Sequence, residues 1–322
     1  MIRLEALSKT YATPRGSVTA VDAVSFEVAG GETCVLLGPS GCGKTTTLRM
    51  INRLVAPTAG KIFLGERDTD AVDPVELRRG IGYVIQQIGL FPNMTVADNI
   101  GVVPRLLGWD APRRRRRAEE LLALLALPPG TFADRYPGEL SGGQAQRVGV
   151  ARALAVDPPV LLMDEPFAAL DPVNREAIQD EFLRMQQKLR KTILFVSHDI
   201  DEAVKMADRI AIFNQGRLVQ FAAPDELLAH PVDAFVAGFV GHDRTLKRLR
   251  LTRVREIMTE ADAGAVDPKA PGVSPDEDLR RVATLFLERD VERLRCIDEA
   301  GRLLGVVTRK AVAARLAIDD AT

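Results

Sequence analysis

Gly38-Pro39-Ser40-Gly41-Cys42-Gly43-Lys44-Thr45 decides the fold of this chain. The stretch fits G-x4-G-K-T. It follows the apolar run Cys34–Leu37 and precedes the helical pattern Thr45–Leu54, the strand-loop-helix context that a phosphate loop needs. Glycines let backbone N–H groups turn inward around phosphate oxygens. The helix N-terminus adds partial positive charge. Lys44 is placed to reach β- and γ-phosphates, and the Thr45 hydroxyl to bind Mg²⁺. Cys42 is read as a passive loop residue whose alkylation would block nucleotide.

A second stretch answers the first. Val160-Leu161-Leu162-Met163 is wholly apolar and ends in Asp164-Glu165. A buried strand ending in two carboxylates sets them at the carboxyl edge of a sheet, beside the phosphate loop. Side chains alternate along a strand, so the two point differently. Asp164 suits the metal, through Mg²⁺-bound water, and Glu165 suits the attacking water as general base.

Around these motifs, short β-rich runs (Cys34–Leu37, Ile81–Ile85, Val160–Met163, Ile193–Val196) alternate with helical patterns such as Thr45–Leu54 and Arg175–Leu189. That alternation predicts an α/β domain with a mostly parallel sheet. Arg209–Phe213 and Arg217–Phe221, joined by Asn214-Gln215-Gly216, read as a hairpin, and Pro224 opens a short helix through Leu228. The character changes near Gly238–Arg255, where six basic residues predict a solvated linker helix in preference to a surface for acidic lipid headgroups, with a boundary near residue 245. After an acidic stretch, Glu260–Asp278, come a helix (Leu279–Glu288), two strands (Leu294–Ile297, Leu303–Val307) and a final helix (Lys310–Ala317). The predicted division is residues 1–240, a linker 241–255 and a small α+β module 256–322.

Composition narrows the class. At 322 residues, 46% apolar and 27% charged, the chain has the profile of a soluble two-domain protein. A net charge of −1 provides no bulk field for nucleic acid or a membrane surface. The run Arg113–Arg117 is followed by Glu119 and Glu120 without interleaved aromatics, so an exposed helix start is expected there and no nucleic-acid partner. No apolar run spans a bilayer, and the N-terminus lacks a signal-peptide core. Cys34, Cys42 and Cys296 form neither a metal pattern nor a disulfide framework, which suits a reducing cytoplasm.

Between the two phosphate-site motifs lies Leu140-Ser141-Gly142-Gly143-Gln144, and with it the chain resembles the ATP-binding subunits of ABC transporters over roughly residues 1–235. The resemblance implies a P-loop ATPase domain with a helical signature subdomain, using ATP and Mg²⁺. It extends the nucleotide contacts from Gly38–Thr45 to Thr46 and gives Tyr11 the adenine-stacking place. Gln86 matches the glutamine that senses Mg²⁺ and the attacking water, chosen over its neighbour Gln87. Ser141, Gly142, Gly143 and Gln144 match the residues that meet the γ-phosphate held by a second copy. Ala169-Leu170-Asp171 matches the loop linking two sites, and His198, ending Ile193–Ser197, matches the switch histidine. His230 and His242 are expected at the surface. Ala145 stands where a second glutamine is frequent.

The resemblance therefore implies a homodimer, with permease subunits as membrane partners, a substrate-binding protein engaged through them, and a peripheral place on the cytoplasmic face. Two other classes fit less well. A soluble ABC ATPase acting on DNA or ribosomes usually carries paired domains or a long coiled-coil insertion. A non-hydrolysing regulator does not need both Glu165 and His198. Ile88–Val96, apolar and Pro-containing, matches the surface that receives a permease helix. Tyr83–Pro92, Arg49–Leu54 and Gly60-Lys61-Ile62 resemble the importers of quaternary amines such as glycine betaine and choline, and of proline. Another small polar solute is the alternative cargo.

Asp298–Thr308 and the following helix resemble one cystathionine-β-synthase-type (CBS) motif. Nucleotide-binding copies commonly carry an Asp three residues after the threonine; Ala311 stands there, so pairing or an ionic-strength response is expected rather than nucleotide binding.

Overall fold

The computed structural model describes residues 1–14, 16–86, 89–168, 170–260 and 270–316, apart from the side chains of 172–174. Two compact units divide the chain, Met1–Ala222 and Ala223–Thr322.

In the first unit the strands are β1 (Ile2–Thr13), β2 (Gly16–Val28), β3 (Thr33–Leu37), β4 (Ala59–Leu64), β5 (Arg67–Asp68), β6 (Ile81–Val84), β7 (Val160–Asp164), β8 (Thr192–Val196), β9 (Arg209–Asn214) and β10 (Arg217–Ala222). Every residue of β3, β7 and β8 is buried. Strands covered on both faces read as continuous apolar runs and suit a parallel sheet. They lie in the order β10-β9-β3-β8-β7-β6, parallel throughout except for the terminal hairpin β9–β10. Pairing is in register across the centre: Val84 opposes Met163, Asp164 opposes Val196, and Leu36 opposes Val196 from the other side. The ends of β3, β6, β7 and β8 therefore share one edge.

A second sheet, β2-β1-β4-β5, is antiparallel, and the alternation of strands and helices gave no sign of it. β1 carries register shifts between Leu4 and Leu7 and again around Lys9, and Ala6 takes φ +45°. These bulges interrupt the period-two pattern by which a half-buried strand is recognised. Between the sheets, Leu4, Val24 and Val28 pack with Leu36, Met50, Leu162, Val196 and Phe213 in one core.

A helical layer interrupts the sheet between β6 and β7. The helices Val96–Ile100, Ala111–Leu124 and Gly142–Ala153 bury Ile100, Leu121, Leu122 and Val148. Arg113–Arg117 lie in the first half of Ala111–Leu124, which Asp110 caps by accepting from Arg113 N at 2.8 Å. Asn99, fully buried, binds the preceding loop: its amide donates to the carbonyls of Phe91, Met94 and Thr95 at 3.0–3.1 Å and its oxygen accepts from Phe91 N at 2.7 Å.

The second unit opens with helices Pro224–Ala229 and Ala234–Val240. The basic stretch after them is not one solvated helix. It forms two short helices, Arg244–Arg248 and Val254–Ile257, and is partly interior. Lys247 is 7% exposed and donates to Val240 O at 3.0 Å and Asp243 Oδ1 at 2.8 Å. Leu249 and Val254 join Leu279, Val282 and Phe286 in the unit's core. Apolar residues spaced among the basic ones explain the difference: Leu249 and Val254 draw the backbone in, while Arg253 and Arg255 stay exposed. Beyond it, β11 (Gly272–Val273), β12 (Arg293–Ile297) and β13 (Leu303–Thr308) form a three-stranded sheet, with helices Leu279–Arg289 and Arg309–Leu316. Asp298 shapes the β12–β13 turn by accepting from Ala300 N at 3.0 Å and Arg302 N at 2.9 Å. Among the described residues no helix is long and apolar enough to cross a membrane.

Candidate functional site

The phosphate loop is held open by its own backbone. A Cβ on Gly38 (φ +145°) would lie 2.2 Å from Phe213 O, and one on Gly43 (φ +107°) 2.4 Å from Ala20 O. Both positions need glycine on conformation and on space. Pro39, Ser40 and Gly41 are exposed at the mouth, Cys42 is buried behind them, and Thr46 is half-buried on the following helix, Lys44–Ile51. Lys44 is 4% exposed, and its Nζ donates to Gly38 O at 2.7 Å and Pro39 O at 2.9 Å. Its charge is thus held inside the curl of the loop. The same ammonium has donors enough to serve a bound phosphate.

Asp164 and Glu165 diverge, as alternation requires, and the divergence is sharpened because Glu165 adopts φ +49° at the strand end. Its N–H donates to Val196 O at 3.1 Å, which pins the turn to β8. Asp164 faces the loop, where Thr45 Oγ1 donates to its Oδ1 at 2.9 Å. Burial pushes the Asp164 carboxyl above the usual range; the Thr45 hydrogen bond and the charge of Arg49 act against that. Glu165 faces the other way. Its Oε2 accepts from Gln86 Nε2 at 2.7 Å and its Oε1 meets His198 Nε2. The Glu165 side chain is 14% exposed.

Four neighbouring strands supply this cluster. Lys44 and Thr45 follow β3, His198 follows β8, Asp164 and Glu165 end and follow β7, and Gln86 follows β6. Gln87 lies outside the described residues. The arrangement provides a cation for phosphate, a hydroxyl-carboxylate pair of hard oxygens suited to Mg²⁺, and a carboxylate oriented by two partners beside them.

Other expected residues stand apart from this hydrogen-bonded cluster. Ser141 caps the helix Gly142–Ala153: Gln144 N donates to its Oγ at 3.3 Å, and Ser141 N donates to Gln144 Oε1 at 2.9 Å. Ser141 and Gly142 are exposed at that helix N-terminus, while Gly143 and Gln144 are half-buried. Tyr11 sits on β1, 39% exposed, with Lys9 Nζ 5.0 Å from its ring centre. Asp171 is exposed at the start of the helix Pro172–Leu189, and Ala169 lies outside the described residues. His230 and His242 are exposed.

Some residues near the site belong to none of the sequence motifs. Arg175 lines a cavity of about 220 Å³ with Glu165, Phe167, His198, Asp199 and Glu202. Glu202 is buried and accepts from Gln179 Nε2 at 2.9 Å; burial pushes its carboxyl up. Their signal was charge inside otherwise amphipathic helices, which spacing alone does not separate from a solvated face.

A family model described as ABC transporter matches residues 21–168, and one described as CBS domain matches residues 254–318. The osmoprotectant import ATP-binding protein OsmV of Salmonella typhimurium is 56% identical over 311 residues, covering 96% of this chain and 80% of that protein. The chain belongs to the ATP-binding proteins of ABC transporters.

Two further similarities extend over this ABC protein. The glycine betaine/carnitine/choline transport ATP-binding protein OpuCA of Bacillus subtilis is 48% identical across 95% of this chain and 78% of its own length. Among solved structures, the dimeric post-hydrolysis state of the ATP-binding cassette MJ0796 bound to ADP and Pi has a TM-score of 0.62 at 35% identity, covering 69% of this chain and 98% of that one. The α/β ATPase fold and the C-terminal CBS domain expected from the sequence are thereby shown, and ATP is the nucleotide of this ABC-type ATPase.

Proposed function

We propose that this chain energises an importer of osmoprotectants: quaternary amines such as glycine betaine and choline, or proline. The observation that carries the catalytic part is the convergence of Gln86 and His198 on Glu165, beside the Thr45–Asp164 pair. Names borne by the relatives, osmoprotectant import and glycine betaine/carnitine/choline transport, support the cargo.

In this proposal two chains close face to face. Lys44 and the loop Gly38–Thr46 of one chain hold the triphosphate, with Tyr11 under the adenine. Ser141–Gln144 of the other chain offer a hydroxyl and helix N-terminal amides to the γ-phosphate. Asp171 bridges the two sites. Thr45, Asp164 and Gln86 would hold Mg²⁺, which supplies charge neutralisation on the phosphates. Glu165 accepts the proton of the attacking water, oriented by Gln86, while His198 contacts the γ-phosphate. ATP favours the closed pair because only that state touches the phosphate from both sides.

Closure would pull on permease subunits at the cytoplasmic membrane face, through the surface after Gln86, and a substrate-binding protein would deliver cargo to them. Phe91 in that segment is 44% exposed. Asn99 holds the segment's backbone to the helical layer. We assign catalysis to residues 1–240 and regulation to residues 256–322.

The test is uptake by cells whose own copy carries Lys44→Ala. Loss of labelled glycine betaine or choline uptake, together with loss of growth rescue in high salt, is the expected result. Unchanged uptake of betaine, choline and proline with loss of another solute would replace the cargo assignment.

A further inference from the structure

Two helices meet behind the catalytic carboxylate, and each begins at a functional loop. The helix Pro172–Leu189 starts directly after Leu170-Asp171; the helix Ile200–Met206 starts directly after His198-Asp199. Polar links join them along their length. Arg175 Nη2 donates to Leu170 O at 2.9 Å, and its Nη1 stands 3.9 Å from Asp199 Oδ2. Gln179 donates to Glu202 at 2.9 Å, both residues buried. Lys205 Nζ pairs with Asp180 Oδ1 at 2.6 Å and reaches Glu176 O at 3.4 Å.

The uppermost link differs from the other two. Arg175 reaches both the loop that precedes its own helix and the turn that carries His198. Asp199 is already committed on its other oxygen: Oδ1 caps its helix by accepting from Asp201 N at 2.8 Å and Glu202 N at 3.3 Å. Its Oδ2 is the oxygen facing Arg175. Nη2 therefore binds a backbone carbonyl on one side, while Nη1 stands in ion-pair range, beyond hydrogen-bond distance, of the carboxylate next to the switch histidine on the other. Below it, the Gln179–Glu202 and Lys205–Asp180 pairs hold the helices as one body, so displacement at the top is not absorbed by slippage lower down.

We propose that Arg175 is a positioning residue that couples the Leu170-Asp171 loop to His198, so that a partner chain pressing on the loop sets the histidine over the γ-phosphate. This rests on the two-chain mechanism proposed above. In this role Arg175 acts through Asp199. A planar fork suits the role, since it can meet a carbonyl and a carboxylate at once in a fixed geometry, which an ammonium does less well.

The experiment uses the purified full chain and four variants: Arg175→Ala, Arg175→Lys, Asp199→Asn and the double Arg175→Ala/Asp199→Asn. Steady-state hydrolysis is followed against MgATP concentration, with nucleotide affinity and thermal midpoint measured alongside. Arg175→Ala is expected to lower kcat by roughly tenfold or more, with KM and nucleotide affinity within about threefold of wild type. The Hill coefficient should fall toward unity. Arg175→Lys should recover part of kcat. The double variant should be no slower than Arg175→Ala, because both changes break one path. A kcat within about twofold of wild type, a parallel loss of kcat and nucleotide affinity, or multiplied effects in the double variant would each overturn the proposal. Should Arg175→Ala not fold, Asp199→Asn decides alone, because it keeps the capping oxygen and removes the charge: a lowered kcat at unchanged affinity supports the coupling, and a wild-type kcat overturns it. Glu165→Gln is run beside them. Wild-type turnover there would defeat the site assignment itself, whereas an inactive Glu165→Gln with a fully active Arg175→Ala defeats only the coupling.

Discussion

Replacing Glu165 by Gln removes one proton acceptor and little else. The carboxylate has two engaged oxygens, one receiving Gln86 Nε2 at 2.7 Å and the other against His198 Nε2. An amide of the same shape can still accept from Gln86 through its oxygen and donate through its nitrogen to a neutral imidazole. The backbone at φ +49° is left as it is. Folding stability is therefore expected to change by only about 1 kcal/mol, the net worth of one exchanged hydrogen bond. Lys44, Thr45 and Asp164 lie on the other side of the strand end, so MgATP affinity should hold within a few-fold.

The rate is another matter. General-base assistance is worth about 10²–10⁴, or roughly 2.7–5.4 kcal/mol of barrier at 1.36 kcal/mol per decade. Glu165→Gln should lose that much turnover and accumulate as an ATP-bound dimer. Single-turnover hydrolysis with labelled ATP gives the rate, and gel filtration with MgATP gives the dimer. Turnover within about tenfold of wild type, with tight binding intact, would show that Glu165 is not the base and would refute the proton-transfer argument.

The composite site can be tested by mixing Lys44→Ala chains with Ser141→Arg chains: verified heterodimers carry one intact site, and ATP-driven dimerisation absent from each variant alone should return. If it does not, Ser141–Gln144 do not act on the partner's nucleotide. Glu202→Gln should alter stability with pH. Burial raises the Glu202 pKa in the folded chain, so its stabilising protonated state is complete below the unfolded value of about 4.3 and is lost as pH rises through the folded one. Denaturation midpoints of variant and wild type should therefore coincide near pH ~4, and the variant should be the more stable near pH ~8; equal midpoints at both would remove the buried-carboxyl assignment. Full-length Lys44→Ala should show no saturable AMP binding by calorimetry, because Ala311 leaves ribose hydroxyls unmatched and its N–H donates to Thr308 Oγ1 at 3.1 Å; micromolar binding would reverse this.

What was legible in the sequence was whatever chemistry is fixed by local spacing. Gly38–Thr45 and Met163-Asp164-Glu165 each carry their meaning within a few residues, because a phosphate loop is one turn of backbone and a strand end is one alternation. The same holds for the β9–β10 hairpin, predicted from Asn214-Gln215-Gly216 and found with Gly216 at φ +82°. The antiparallel sheet was missed because bulges after Leu4 and around Lys9 break the period that reveals a strand. Asn99 was missed because one amide inside Val96-Ala97-Asp98-Asn99-Ile100 looks like a helix-surface residue. Only the fold shows it buried against four backbone groups. The basic stretch after Gly238 was misjudged because charge counts do not show that Leu249 and Val254 fall on an inward face. Arg175 and Asp199 are separated by a helix and a strand, and no spacing rule predicts the rotation that brings them together.

The site depends on register as much as on residue identity. Leu36, Val196 and Asp164 lie in one paired row across β3, β8 and β7, and Met163 pairs with Val84 of β6 beside it. The reactive groups begin at or just beyond that row. A one-residue slip of β7 would exchange the directions of Asp164 and Glu165, turning Glu165 toward Thr45 and Asp164 toward His198. Nothing in the polar residues themselves forbids this slip. What forbids it is the apolar run before them: Leu161, Leu162 and Met163 are fully buried, and a slip would force each into a space shaped for its neighbour. Truncating such a side chain costs about 2–5 kcal/mol, and misplacing several at once is comparable with the roughly 5–15 kcal/mol that holds a domain folded. The hydrophobic residues of β7 thus set the directions in which Asp164 and Glu165 point.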